Sequence, residues 1–152
     1  MSIKVVIETD IARPVDDVFA ALVDLDQWPA WLIATGIIKV TRSTAAPAAA
    51  GDRLTIDQRA AGRASTVQAT VTELESPTRF VVAGKDADGI KTELDAALRS
   101  VDGGHTRLRW SARIDVPLRY RIFESMAAPQ VQRAAALDIE AFKRRLETAP
   151  GD

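Results

Sequence analysis

The chain has 152 residues, a formal net charge of −1, 47% apolar and 27% charged residues, and no cysteine. That length suits a single domain around one core, expected over residues 1–149, with 150–152 as a tail. The near-neutral balance argues against capture of nucleic acid by a field of uncompensated Lys and Arg, and the missing thiols exclude disulfides, thiolate metal sites and a thiol nucleophile. Asparagine is missing too, so there is no glycosylation sequon. No apolar run approaches the ~20 residues that cross a bilayer, so no integral membrane association is expected. The opening "MSIKVVIETD" has no basic segment followed by a long apolar stretch, so a cytoplasmic protein is expected.

In chain order, Ile3, Val5, Ile7 and Ile11 occupy odd positions, with Lys4, Glu8 and Asp10 between them. A period of two predicts a half-buried strand. Pro14 suits the first turn of a helix. Val15, Val18, Phe19, Leu22 and Val23 then follow amphipathic helical spacing, with Asp16 and Asp17 in the first turn, where the helix dipole favours anions. "DLD" at 24–26 ends that helix, and a second, very short one carries Trp28 and Trp31, two of three tryptophans in the chain.

Six strands follow. They are read at 36–42, 52–60, 65–74, 79–84, 90–101 and 106–116. Leu54, Ile56 and Gln58 share one side of the second of these. Ile90, Thr92, Leu94, Ala96 and Leu98 share one face of the fifth. Leu108, Trp110, Ala112 and Ile114 share one face of the sixth. Asp102-Gly103-Gly104 is a hairpin signal. The charges Lys91, Glu93, Asp95 and Arg99, set against Arg107, Arg109, Arg113 and Asp115, predict cross-strand pairs on a solvated outer face. Pro117 to Glu147 reads as one helical segment of roughly 40 Å, kinked or divided at Pro129. Within it Val131, Ala135, Asp138, Phe142 and Leu146 approximate one face. Strands joined by short turns pair antiparallel. A sheet with one apolar face must cover it, and the closing helix is the one element long enough to do so.

The opening "IETDIARPVDDVFAALVDLDQWPAWL", with its Ala-x-Pro helix start and Asp-x-x-x-Trp-Pro-x-Trp, resembles the SRPBCC (START/Bet v 1-like) superfamily, in particular its bacterial polyketide cyclase/dehydrase and lipid-transport branch. "GDRLTI", "VTELESPTRFVVAG" and the closing "FKRRLE" resemble later parts of the same pattern, so the similarity runs from about Ile3 to Leu146. The resemblance implies an α+β helix-grip fold: a curved seven-stranded antiparallel sheet wrapped around the long C-terminal helix, with two short helices between strands 1 and 2. It also implies a cavity between sheet and helix. Such folds hold lipids, sterols, polyketides or hormones, and some members cyclise or dehydrate polyketides. Fold alone does not choose among these.

On that reading the apolar alternates Leu54, Ile56, Leu94, Leu98, Leu108 and Trp110 face the cavity, joined from the helix by Phe123, Met126, Ala127 and Val131. Trp28 and Trp31 close one end, because a short turn that seals an apolar chamber needs bulky, stiff side chains. The competing reading is that all these residues form a filled core. Gln58 and Thr92 share parity with the apolar rows, so each either orients a ligand by a hydrogen bond or reaches water where its strand twists. Tyr120 either caps the mouth or lies on the surface with its hydroxyl in water. His105 follows Gly103-Gly104 in a hairpin turn and is expected to be exposed, whereas a base needs both an orienting partner and a cavity position. No cofactor and no metal site is expected, and no phosphate-loop, dinucleotide, zinc-protease or serine-hydrolase motif occurs. Enzymes of the cyclase branch use Arg, Tyr or His inside the cavity, and no such position matches here, so no catalytic residue is assigned. Three functions remain open: a chamber for a small hydrophobic ligand, a cyclase/dehydrase, and a protein–protein module. Either a monomer or a homodimer suits all three.

Overall fold

The structure, a computed structural model, describes residues 2–60 and 62–148. The side chain of Phe123 and the tail after 148 lie outside the described residues. Seven strands form one antiparallel sheet: β1 (Ser2–Ile11), β2 (Ile37–Arg42), β3 (Arg53–Ala60), β4 (Arg63–Glu75), β5 (Arg79–Lys85), β6 (Lys91–Asp102) and β7 (His105–Asp115). Their order across the sheet is β1-β7-β6-β5-β4-β3-β2. Every neighbouring pair from β2 to β7 is consecutive in sequence, and only β1, the first strand, is brought beside the last. The period-two reading of β1 is reproduced, with Ile3, Val5 and Ile11 buried and Lys4 exposed. Register shifts interrupt the β2–β3, β4–β5 and β6–β7 pairings. Bulges of this kind increase local twist and bend a sheet.

Between β1 and β2 lie helix α1 (Val15–Leu22), a 3₁₀ turn (Leu25–Gln27) and the four-residue helix α2 (Trp28–Trp31). Pro14 occupies the N-cap position immediately before α1, where its missing N–H costs nothing. Val18, Phe19 and Leu22 are the buried face of α1.

The C-terminal segment departs from expectation in one respect. Residues Leu118–Phe123 are 3₁₀ and α3 runs Glu124–Glu147 without division, although it contains Pro129. The break falls before the proline rather than at it. Pro129 is in the second turn of α3, near the end where N–H groups lack intrahelical partners. Ala135, Asp138, Ile139, Phe142 and Leu146 form the buried face of α3 towards its C-terminus.

The outer-face charges also pair differently from expectation. Glu93 stands opposite Arg113 and Lys91 opposite Asp115, as read, but Arg99 stands opposite the like-charged Arg107. Arg107 turns instead to Asp10 on β1 in a two-point contact of 2.7 and 3.0 Å. Asp95 takes Arg79 of β5 at 2.8 Å.

Candidate functional site

The interior divides into two apolar clusters. The larger is aromatic. Trp28 is fully buried and donates from Nε1 to the Leu22 carbonyl at 2.9 Å, closing the C-terminal end of α1. Its ring meets Trp31, Phe80 and Trp110 edge-on, with centroids 6.2–6.4 Å apart. Trp31 in turn lies 5.8 Å from Trp110 and 4.6 Å from Phe142 of α3. Edge-to-face pairs at these separations favour fixed packing. The smaller cluster joins Ile3, Val5 and Ala112 of β1 and β7 to Ala135, with Ala127, Ala128 and Val131 packed alongside. The N-terminal half of α3 therefore rests on the β1–β7 edge of the sheet through small side chains.

Between the two clusters lies a hollow of about 360 Å³. Its floor is Ile56, Val67, Ala69, Val82, Leu94, Trp110, Ala112 and Ile114 from β3 to β7. Its roof is Ala127, Val131, Ala134 and Ala135 of α3, and Leu32 and Ile37 lie at one side. Ala34, Arg59, Ala60 and Gln130 line it and are solvent-exposed, so the mouth opens between the α2–β2 loop, the end of β3 and α3. Its polar groups are Thr35, Gln58, Arg59, Thr92 and Gln130.

Among the sequence-predicted residues, Ile56, Gln58, Thr92, Leu94, Trp110, Ala127 and Val131 line this hollow. Trp28, Trp31, Leu54, Leu98 and Leu108 do not; they are buried in the aromatic cluster beyond its end. Tyr120 is half-buried, stacks under the Arg119 guanidinium at 5.0 Å, and is not on the wall. Met126 is 70% exposed, which places its side chain in solvent and leaves the wall to the neighbouring Ala127. Phe123 lies outside the described side chains. His105 is exposed at the β6–β7 hairpin, with Nδ1 2.9 Å from Asp102. Val67, Ala69 and Val82 were missed, though their alternation along β4 and β5 marks them as one face. Among the described residues no three metal-ligating side chains gather.

The mouth has a built edge. Gly36 adopts φ +91, and a Cβ there would sit 1.9 Å from the Arg59 carbonyl oxygen, so glycine lets the loop close against β3. The Arg59 N–H donates to the Gly36 carbonyl at 2.8 Å. On the other side Asp138, almost wholly buried on α3, accepts from Ala34 N–H and Thr35 N–H, each at 2.8 Å, and from the Thr35 hydroxyl at 2.6 Å. The rim of the mouth is thus tied to both sheet and helix. A carboxylate on an otherwise apolar helical face was the signal for this clamp, though its partners were not legible.

The shifted carboxyls lie on the surface, away from this wall. Asp10 is held below the usual carboxylate range, chiefly by its hydrogen bond from Arg107. Asp115 is lowered by Ser2 and then Arg113, and Asp102 by the Gly104 N–H and then His105.

Residues 2–147 match the sequence profile of the family described as polyketide cyclase / dehydrase and lipid transport. No curated protein matches the chain in sequence. Several solved structures share the fold. The Zhui aromatase/cyclase from Streptomyces sp. R1128 superposes with a TM-score of 0.78 at 13% identity, over 97% of this chain and 94% of its own. A protein of Thermus thermophilus gives 0.77 at 15%, over 97% and 99%. Truncated norcoclaurine synthase from Thalictrum flavum gives 0.70 at 11%, over 99% and 96%. At these identities the likeness concerns the helix-grip architecture alone.

Proposed function

The chain belongs to the polyketide cyclase / dehydrase and lipid transport family, and from that premise we propose that it holds one small hydrophobic or amphipathic molecule in the hollow between sheet and α3. The observation that carries this reading is the roof of small side chains, Ala127, Val131, Ala134 and Ala135, over an apolar floor. The volume of about 360 Å³ falls within the ~300–1,000 Å³ usual for small-molecule sites, and a mostly apolar lining with a few polar groups is their common chemistry. Burial of ligand surface at ~25 cal/mol per Å² supplies the drive. Thr35, Gln58, Arg59, Thr92 and Gln130 supply the hydrogen bonds that orient a polar end.

Holding is favoured over acid–base chemistry by the lining itself. Its polar groups are two hydroxyls, two amides and a guanidinium, with no histidine, tyrosine or carboxylate among them. Of the Arg, Tyr or His that the cyclase branch uses inside its cavity, the lining holds one, Arg59, and it stands exposed at the mouth.

The test is titration of the purified protein with 1-anilinonaphthalene-8-sulfonate, beside Ala134→Phe, which puts a phenyl ring into the roof. Wild type should bind one probe per chain, and the folded variant at least about tenfold more weakly. Equal binding by both proteins, with unchanged circular dichroism, would place the probe elsewhere and refute the reading.

A further inference from the structure

The segment that leads into the roof carries large apolar side chains in water. Leu118 is 78% exposed, Ile122 75% and Met126 70%. These three fall within nine consecutive residues, the largest grouping of exposed large apolar side chains among the described residues, and concentrated apolar exposure is the mark of interaction surfaces. The same stretch carries Arg119 and Arg121, both exposed. Its one acidic residue, Glu124, is buried.

The charges around this stretch are uncompensated. Among the described residues neither arginine is paired with a carboxylate. Arg119 donates to the Asp88 backbone carbonyl at 2.6 Å and lies over the Tyr120 ring, both neutral partners. The nearby Asp86 and Asp88 are taken by Arg63, and Asp115 by Arg113 and Ser2. In a chain of net charge −1 this is a local cationic, apolar surface. It runs directly into the chamber: Met126 precedes Ala127 of the roof, and Gln130 at the mouth follows one turn later.

We infer that Leu118–Met126 docks the chain on an anionic lipid bilayer, so that the hollow exchanges its occupant with the membrane. Apolar side chains beside arginines, with no exposed acid among them, match the boundary between acyl chains and anionic headgroups. The inference rests on the ligand-holding reading for its purpose.

The experiment is co-sedimentation of the full chain with phosphatidylcholine vesicles, with and without phosphatidylglycerol, at low and high salt. Wild type should partition onto the anionic vesicles and be released by salt. Arg119→Gln/Arg121→Gln should weaken partitioning by about fivefold for each arginine, and Leu118→Ser/Ile122→Ser by about tenfold or more. All four positions are off the wall of the hollow, so both variants should bind anilinonaphthalene sulfonate as wild type does. Failure of wild type to bind anionic vesicles at low salt overturns the inference. So does partitioning that both variants retain in full. Wild-type dimerisation in the absence of lipid, abolished by the apolar double variant, would assign the surface to a second copy and overturn it equally. Vesicle binding that persists in a protein which takes no probe would support docking while the ligand-holding reading fails. Probe binding without vesicle binding would do the reverse.

Discussion

Asp138 is the most exacting test of how the mouth is held. Its carboxylate accepts three hydrogen bonds from two consecutive residues of the α2–β2 loop, at 2.6–2.8 Å. Hydrogen bonds to a charged group contribute ~1.5–3 kcal/mol each. Ala34 is exposed and Thr35 half-buried, so water replaces part of what is lost. Asp138→Ala should therefore cost about 2–4 kcal/mol rather than the sum of three bonds. Asp138→Asn should recover little of it. The amide offers one accepting oxygen and turns N–H groups towards donors, and three donors already point there.

Urea unfolding at neutral pH reads the stability, and amide exchange reads the location. The midpoint should fall with the denaturant slope unchanged. Exchange at Ala34 and Thr35 should accelerate more than at β6 or β7, since the loop loses its tie while the sheet keeps its ladder. Thr35→Val in the Asp138→Ala background should add less than it does alone, the two being one network. An Asp138→Asn protein that unfolds at the wild-type midpoint would sink the argument. So would uniform acceleration of exchange across the sheet.

Gly36→Ala should destabilise by about 3 kcal/mol or more, because left-handed backbone strain of ~1–2 kcal/mol is joined by a collision with the Arg59 carbonyl. Gly51→Ala, at φ +94 with nothing within 4 Å of a new Cβ, should cost only the strain, and equal losses in thermal unfolding would remove the steric claim. Asp10 has its folded pKa lowered mainly by Arg107, so its contribution is complete above the ordinary carboxylate value of ~3.9 and disappears as pH falls through the lower folded value. The melting temperatures of wild type and Arg107→Gln should accordingly differ by a constant amount above about pH 5 and converge below about pH 4; a gap that widens in acid would contradict the pairing.

How far the sequence could be read depended on whether a feature is periodic or relational. Alternation along β1, β6 and β7 assigns faces, and the Asp102-Gly103-Gly104 turn joins two of those strands as expected. Parity assigns a face but not a distance along the sheet. Leu98 and Leu108 share the faces of Leu94 and Trp110, yet stand opposite each other at the packed end. Met126 fell outside for a different reason. Met126 is five residues back from Val131 on the same α-helix, about 140° off its face at ~100° per residue, whereas Ala127, four residues back, is only about 40° off and takes the wall. The partner of Arg107 was hidden because β1 is placed beside β7 by topology, and no local pattern announces that pairing.

The hollow itself follows from a gradient of side-chain size along one helix. Towards its C-terminus α3 presents Ile139, Phe142 and Leu146, and with Trp28, Trp31 and Trp110 these fill the space above the sheet. One to three turns earlier it presents Ala127, Val131, Ala134 and Ala135 over a floor that includes Ala69 and Ala112, and the same space stays empty. Apolar side chains that face the hollow forgo the contacts and burial that filling it would supply, at ~25 cal/mol per Å² of apolar surface removed from water. Ala134→Phe should therefore melt at a higher temperature than wild type while binding the probe more weakly. The aromatic end carries the stability that lets the alanine end remain hollow.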